Sequence, residues 1–596
     1  MEGSGNAWHD LADLGGNVGD QIADAVAMIA GLVDLPPVAE QALADALNPR
    51  TLRAGETLFD AGAPADGMVV VDRGRLGVIG VGDKVIATLG RGELVGEMGA
   101  LTGEPRSSTV VALRDTTVLE IDQVAFDHLF DSSPLIGRAL SRLVVGRLVG
   151  GSDIDHQRAI PRVLAVVTVG GPGELEELVG AITRRVSSAA VVSDDLSEGR
   201  SHAEVLAALD SIEADNDLVV LLAGQFGEAA AGDADDWCHL CMRHADAVVI
   251  VVDPRWTNKG ALITLQQRLS ALRSTVELAV MNRAGAVIGV DATPWVSALG
   301  PDRLHQLRSD DPASFDRCAR LLLGQGVGLV FSGGAAKGLA HLGAWRALCE
   351  LGIEIDAVAG VSFGALLAAG VALDYSPDAL QSEVRDRLVA ERGLMDLTFP
   401  WVALLRGEGV SRRLEDVARG RYFEQTWRRF VCTSCDLVTG DLVEHRAGPL
   451  WEAIRASVSI PGVLPPVRMG DRLLVDGAVR SNLPIGPLRA AHPTPMTVIA
   501  IDVGKDGVLP AGETPGGGGV SGWRLVARRL NPRSSSPSVP SMPQVLMRVM
   551  ELAGEDGDAV ADHTVRPDLS QLGVGDFAQI DDFARAGYDA TIEALG

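Results

Sequence analysis

A chain of 596 residues is longer than one hydrophobic core usually supports, about 250–300 residues, so three or four domains are expected. Its 52 basic and 79 acidic residues leave a net charge of −27, which disfavours nucleic acid as a partner and repels anionic membranes except through a local basic patch. Six cysteines are too sparse for a disulfide scaffold and no secretory leader is visible, a combination that fits a reducing cytoplasm.

Residues 1–35 read as an N-terminal arm with a short amphipathic helix over 21–33. Residues 36–150 change character: short β-like runs at 69–71, 76–79, 85–87 and 117–119 alternate with glycine turns. That spacing predicts a β-roll or barrel, closed by helical segments at 124–131 and 135–148. Within it, Gly96-Glu97-Met98-Gly99 leads to Arg106-Ser107-Ser108. A short helix beginning at Glu97 offers a carboxylate to a ribose 2′-hydroxyl, Arg106 can pair with a cyclic phosphate, and amides near Gly96 and Ser107 complete an anion nest. This stretch resembles the phosphate-binding cassette of cyclic-nucleotide-binding domains. The resemblance implies a ligand pocket built from Gly96, Glu97, Met98, Arg106, Ser107 and Ser108. Ser107 follows the arginine as in some bacterial cAMP receptors, so cAMP is expected ahead of cGMP. The other reading is a roll that kept its shape and lost its ligand; retention of both the acid and the arginine favours a working pocket. No DNA-binding helix-turn-helix follows.

Residues 155–320 alternate apolar strands (163–169, 189–192, 218–222, 247–252, 278–280) with helices, which predicts a parallel-sheet domain. Gly170-Gly171-Pro172-Gly173 hints at a nucleotide loop, but no G-x-x-x-x-G-K-[ST] follows, so a degenerate Rossmann- or P-loop-like structural domain is expected rather than an ATPase. The pairs Cys238/Cys241 and Cys432/Cys435 both read C-x-x-C. They lie nearly two hundred residues apart and abut apolar runs, so buried free thiols are expected over a zinc site.

Chemistry concentrates in 326–373. The turn Gly360-Val361-Ser362-Phe363-Gly364 joins an apolar strand to an apolar helix, the context of a nucleophile elbow, so Ser362 is the expected nucleophile. Upstream, Ser332-Gly333-Gly334-Ala335-Ala336-Lys337-Gly338 follows another strand. Its bare amides at a helix start suit either a phosphate or the oxyanion of acyl transfer, and beside an elbow the second is favoured. Downstream, the strand 473–475 delivers Asp476 onto the small-residue turn Gly477-Ala478, which gives a serine–aspartate dyad without histidine. His341 and His445 invite a triad, but His341 sits among Leu339, Ala340 and Leu342 and reads as packed.

These three motifs, in this order, resemble those of the patatin-like phospholipases. With Trp237…Arg243-His244-Ala245-Asp246 and Arg317-Cys318-Ala319-Arg320 they resemble the neuropathy target esterase-like branch in particular. The resemblance implies a multidomain α/β chain ending in a patatin-like hydrolase domain over 322–596, with Ser362 as nucleophile, Asp476 as general base, and amides of Gly333, Gly334 and Ala335 as oxyanion hole. Gly338, Gly360, Gly364, Gly477 and Ala478 complete the motifs. It implies phospholipid or lysophospholipid substrates, cyclic-nucleotide control and no cofactor for catalysis; the alternative is a catalytically weak module that reports cyclic nucleotide to a partner. Family members usually read G-G-G-x-R-G where this chain has Ala335 and Lys337, and a left-handed backbone there would cost alanine about 1 kcal/mol. The apolar stretch 394–405 reads as core or as a wall over an acyl channel, and Ala456-Ser457-Val458-Ser459-Ile460-Pro461-Gly462 as the turn that positions Asp476. The basic, aromatic segment 522–532 is open to peripheral contact with phospholipid headgroups. The longest uncharged run, 357–373, falls short of the roughly 20 residues of a membrane span.

Overall fold

A computed structural model describes residues 44–80, 85–90, 93–132, 160–171, 175–226, 233–270, 272, 274–389, 396–398, 401–418, 420–492, 494–504, 545 and 560–596 except 574. The expected arm helix, the helix at 135–148, the basic segment 522–532 and the glycine and Ser/Pro runs around it lie outside the described residues. The chain forms two compact units, Met1–Gln325 with Pro493–Pro495, and Gly326–His492 with Met496–Gly596.

The first unit begins with eight short strands, β1 (Asn48–Leu52), β2 (Thr57–Phe59), β3 (Gly67–Arg73), β4 (Leu76–Ile79), β5 (Val85–Leu89), β6 (Leu94–Val95), β7 (Thr109–Ala112) and β8 (Thr116–Asp122). They make two antiparallel sheets, β1-β8-β3-β6 and β2-β7-β4-β5, around Leu52, Val69, Val71, Leu76, Val110 and Val118. Helix α1 (Glu97–Thr102) interrupts the roll and α2 (Gln123–Ser132) follows it. The Val/Leu-rich strands β9 (Val163–Val169), β10 (Ala189–Val192), β11 (Leu218–Gln225), β12 (Ala247–Val252), β13 (Thr275–Asn282) and β14 (Arg303–Arg308) then form an all-parallel sheet ordered β10-β11-β9-β12-β13-β14. Near-continuous apolar strands are what helices on both faces require, and Val163–Val169 is buried at every position. The sixth strand escaped the sequence reading because Arg303-Leu304-His305-Gln306 looks polar. Its polarity is internal: buried Arg303 and His305 both engage Glu277 on β13, and although burial alone would raise that carboxyl, they hold it down to about 2.

Within the first unit, a set of ion pairs links the roll to this sheet. Arg114 is buried and donates from one nitrogen to both Glu213 carboxylate oxygens at 2.8 Å and from another to the His244 carbonyl, while Arg243 meets Asp115 at 2.5 Å. Asp210, Glu213 and His244 bring ligand-type atoms within 4.8 Å of one another, the one such group among the described residues, but Arg114 already neutralises Glu213. The group is a salt-bridge network.

The second unit is built on the strands β15 (Gly326–Phe331), β16 (Ala357–Val361), β17 (Arg429–Asp436), β18 (Leu442–His445), β19 (Val467–Met469), β20 (Arg472–Asp476), β21 (Met496–Ile501) and β22 (His563–Val565). Their order is β19-β20-β17-β16-β15-β21-β22, with β18 paired to β17, and the central strands run parallel. Helices α3 (Ala340–Glu350), α4 (Phe363–Ala372), α5 (Pro377–Val384), α6 (Glu408–Ala418), α7 (Leu450–Ser457) and α8 (Ile580–Leu595) accompany them. The last crosses α3 so closely that a Cβ on Gly343 or Gly587 would meet the facing helix backbone within 2 Å. Among the described residues no helix is long and apolar enough to cross a membrane.

Candidate active site

The two expected turns stand at the ends of adjacent parallel strands. β15 ends at Phe331 and the chain enters a 3-10 turn, Ala335–Leu339, before α3; β16 ends at Val361 and α4 starts at Phe363. Ser362 therefore caps a helix at a sharp reversal, with φ 56° and ψ −130°, a backbone state that costs about 1–3 kcal/mol and persists only where the surroundings enforce it. The flanking glycines are required by space. A Cβ on Gly360 would lie 2.5 Å from the Gly364 carbonyl oxygen, and one on Gly364 would lie 2.4 Å from that of Ser332.

The glycine turn and the serine are neighbours, since a Cβ on Gly333 would come within 3.1 Å of the Ser362 Cβ. Of the three amides expected to face an oxyanion, that of Gly333 donates to the Asn482 carbonyl at 3.3 Å. Those of Gly334 and Ala335 donate no hydrogen bond among the described residues. Ala335 has φ 49°, so the alanine that replaces the family's third glycine does sit in the left-handed region. Lys337 is buried one turn further on.

Asp476 ends β20 and is fully buried. Its Oδ1 accepts from the Ala478 amide at 3.0 Å, and its own amide donates to the Ser459 carbonyl at 3.0 Å. Burial pushes its carboxyl up to about 7, with the Ser362 hydroxyl and the Ala478 amide offsetting part of the rise. The hydroxyl is thus near enough to stabilise the anion, yet Oδ2 makes no hydrogen bond of standard geometry among the described residues. Gly477 is pinned because a Cβ there would lie 2.5 Å from the Thr433 carbonyl oxygen.

The A-S-x-S turn reaches further than the sequence suggested. Ser459 holds the Asp476 backbone, as expected, but the Ser457 hydroxyl also accepts from the Ser362 amide at 2.9 Å. One turn therefore fixes both residues. His341 is fully buried, stacks on Phe331 with ring centres 4.4 Å apart, and donates from Nε2 to the Ser332 carbonyl at 2.9 Å. Desolvation lowers its pKa to about 4, so it is the packed histidine the sequence implied. His445 is likewise buried, beside the Ser434 hydroxyl at 2.8 Å. Both C-x-x-C pairs are buried, and desolvation drives the thiols of Cys241 and Cys432 upward. In the apolar stretch before α6, Leu397, Trp401 and Val402 are exposed by 69, 87 and 63 %, whereas Ala403 and Leu405 are buried. The rest of that stretch, 394–395 and 399–400, lies outside the described residues.

In the roll, α1 begins at Glu97 after Gly96, whose φ of 86° favours glycine. Glu97 and Arg106 are buried, Ser108 is half-buried, and Met98 and Ser107 are exposed. The Arg106 guanidinium donates to Asp66 Oδ1 at 2.7 Å and to the carbonyls of Gly67 and Gly96, and lies 3.7 Å over the Phe59 ring. Asp66 and Phe59 were not singled out from sequence, because their contacts with Arg106 depend on folding residues 40 and 47 positions upstream onto it.

The patatin-like phospholipase family matches residues 329–489 and the cyclic nucleotide-binding domain matches residues 49–133. An uncharacterized NTE family protein of Mycobacterium tuberculosis is 31 % identical over 589 residues, which cover 95 % of this chain and 94 % of that one. Patatin-like phospholipase domain-containing protein 6 of Homo sapiens is 26 % identical over 617 residues, 90 % of this chain and 44 % of that protein. Among solved structures, a catabolite activator protein of Thermus thermophilus is 28 % identical over 20 % of this chain and 57 % of its own, with a TM-score of 0.19, too low to bear on the whole fold. The chain belongs to the NTE family, as a patatin-like phospholipase that carries a cyclic nucleotide-binding domain.

Proposed function

We propose that the chain hydrolyses acyl esters of phospholipids or lysophospholipids through a Ser362–Asp476 dyad. The observation that carries this reading is the placement of the fully buried Asp476 carboxyl beside the Ser362 hydroxyl, with its pKa raised to about 7 by burial. A general base works best when its pKa lies near the working pH. Asp476 takes the Ser362 proton as Oγ attacks the ester carbonyl, and the tetrahedral oxyanion is held by the amides of Gly334 and Ala335. The C–O bond to the alcohol breaks and Asp476 returns the proton to the leaving oxygen. Water, deprotonated by Asp476, then cleaves the acyl-serine and releases a fatty acid. Ser362→Ala should abolish hydrolysis of lysophosphatidylcholine in a folded protein while His341→Gln leaves it near normal; activity in purified Ser362→Ala would end the dyad reading.

Cyclic nucleotide, cAMP ahead of cGMP, is the regulator in this reading, bound between Glu97 and Arg106. It controls hydrolysis only if it binds one arrangement of the protein better than another. The middle sheet is read as a degenerate Rossmann- or P-loop-like domain with a structural role; its order departs from the dinucleotide-binding order by exchanging the domain's second and third strands. The setting is cytoplasmic, with peripheral contact to lipid, and the exposed Leu397, Trp401 and Val402 support that contact.

A further inference from the structure

An apolar slot opens between α4, α5, α6 and α7, lined by Leu366, Gly370 and Leu373 of the nucleophile's helix and its cap, with Leu380, Leu414 and Ile454 facing them. Two of the helices that line it, α4 and α7, have their ends at Ser362. Helix α4 starts on that residue, and α7 ends at Ser457, whose hydroxyl accepts from the Ser362 amide. Leu366 stands one turn from the serine and Ile454 one turn before Ser457. At a rise of 1.5 Å per residue, the slot residues on α4 run from about 6 Å to about 16 Å beyond the nucleophile. The slot encloses about 650 Å³, counting space open to solvent. Its apolar lining suits a polymethylene chain and not a charged headgroup. Its lining is apolar until Glu383 and Arg387, which pair at 2.5 Å.

We infer that this slot takes the acyl chain of the substrate, with the ester carbonyl at Ser362 and the methyl end beyond Leu373, and that its depth sets chain-length preference. The inference rests on the proposed role of Ser362. Leu380 packs onto Gly370, and a Cβ there, 2.4 Å from a Leu380 methyl, would push that side chain into the slot. Gly370→Ala thus narrows the slot without straining the backbone, and Leu373→Trp blocks its far half.

The test is hydrolysis of p-nitrophenyl esters from butyrate to palmitate by the full chain. Losing burial of two methylenes is about a tenfold effect, so each variant should lower kcat/KM on palmitate by about tenfold or more and change that on butyrate by less than about twofold. A parallel fall on both esters, or an unchanged palmitate rate in both variants, overturns the inference. Fluorescence of cis-parinaric acid bound to Ser362→Ala gives a readout that needs no catalysis: Leu373→Trp in that background should weaken binding by the same factor, and undiminished binding counts against the slot. Hydrolysis surviving in Ser362→Ala would instead remove the dyad and leave this binding result standing.

Discussion

Asp476→Asn should abolish hydrolysis and at the same time make the protein more stable above neutral pH. The folded carboxyl sits at about 7 against an ordinary 3.8, because burial penalises the anion more than the Ser362 hydroxyl and the Ala478 amide favour it. Below pH 3.8 both folded and unfolded chains hold this proton and the residue is neutral in its buried site. Between 3.8 and 7 the unfolded chain releases the proton and the folded chain keeps it. Stability therefore falls by about 1.4 kcal/mol per pH unit, about 4 kcal/mol in all, and levels off above 7. Asparagine has no proton to lose, and its side-chain oxygen can still accept from the Ala478 amide. At pH 4 the variant should match wild type. At pH 8.5 it should be the more stable by up to about 4 kcal/mol, which at about 2 °C per kcal/mol moves the midpoint of the hydrolase unit by several degrees. Scanning calorimetry at the two pH values reads the difference. In the same protein, wild-type kcat/KM should rise about tenfold per pH unit below 7 and flatten above it. A variant that is less stable at pH 8.5, or a difference that does not change with pH, would refute the account of Asp476 as a base held in a desolvated site.

Much of this site was legible because its chemistry is written in local constraints. Gly360 and Gly364 are two residues from Ser362 for a reason confined to one turn, and Asp476-Gly477-Ala478 shows its strand and its turn within six residues. The parallel strands of the middle sheet were legible for the same reason, as runs of valine and leucine. What escaped was set by tertiary contact. Arg303 and His305 kept β14 from standing out as an apolar run, since their partner Glu277 lies on the neighbouring strand. Ser457 was seen as part of the turn that serves Asp476, and its bond to the Ser362 amide spans 95 residues. The commitment of the Gly333 amide to Asn482 could not be read at all, because nothing in the glycine turn indicates which of its donors another loop will occupy. The contact between roll and sheet likewise includes Arg114 finding Glu213 across 99 residues.

Ala335→Gly relieves a left-handed alanine, so it should raise stability by about 1 kcal/mol and, if strain loosens the oxyanion site, raise kcat; a lower melting midpoint with unchanged kcat would show the alanine to be accommodated. Trp401→Ala should weaken flotation with phosphatidylcholine vesicles by about tenfold and leave hydrolysis of a soluble butyrate ester unchanged, whereas unaltered flotation would place lipid contact elsewhere. Arg106→Ala concerns the roll. A charge-assisted bond from guanidinium to phosphate is worth about 1.5–3 kcal/mol, so cAMP binding by calorimetry should weaken at least about tenfold. The same guanidinium already bonds Asp66, whose side chain is 77 % exposed, so an incoming phosphate must share or displace that partner. Asp66→Asn keeps Arg106 and its contacts to the Gly67 and Gly96 carbonyls while removing the competing charge, and it should bind cAMP at least as tightly as wild type. The pair of variants separates a lost phosphate contact from a disturbed roll, since Asp66→Asn alters the same cluster without removing the cation. Equal weakening in both would mean that the cluster serves the fold alone. Tight binding in wild type with no change in lysophospholipid hydrolysis on adding cAMP would leave the pocket intact and remove its control of the enzyme.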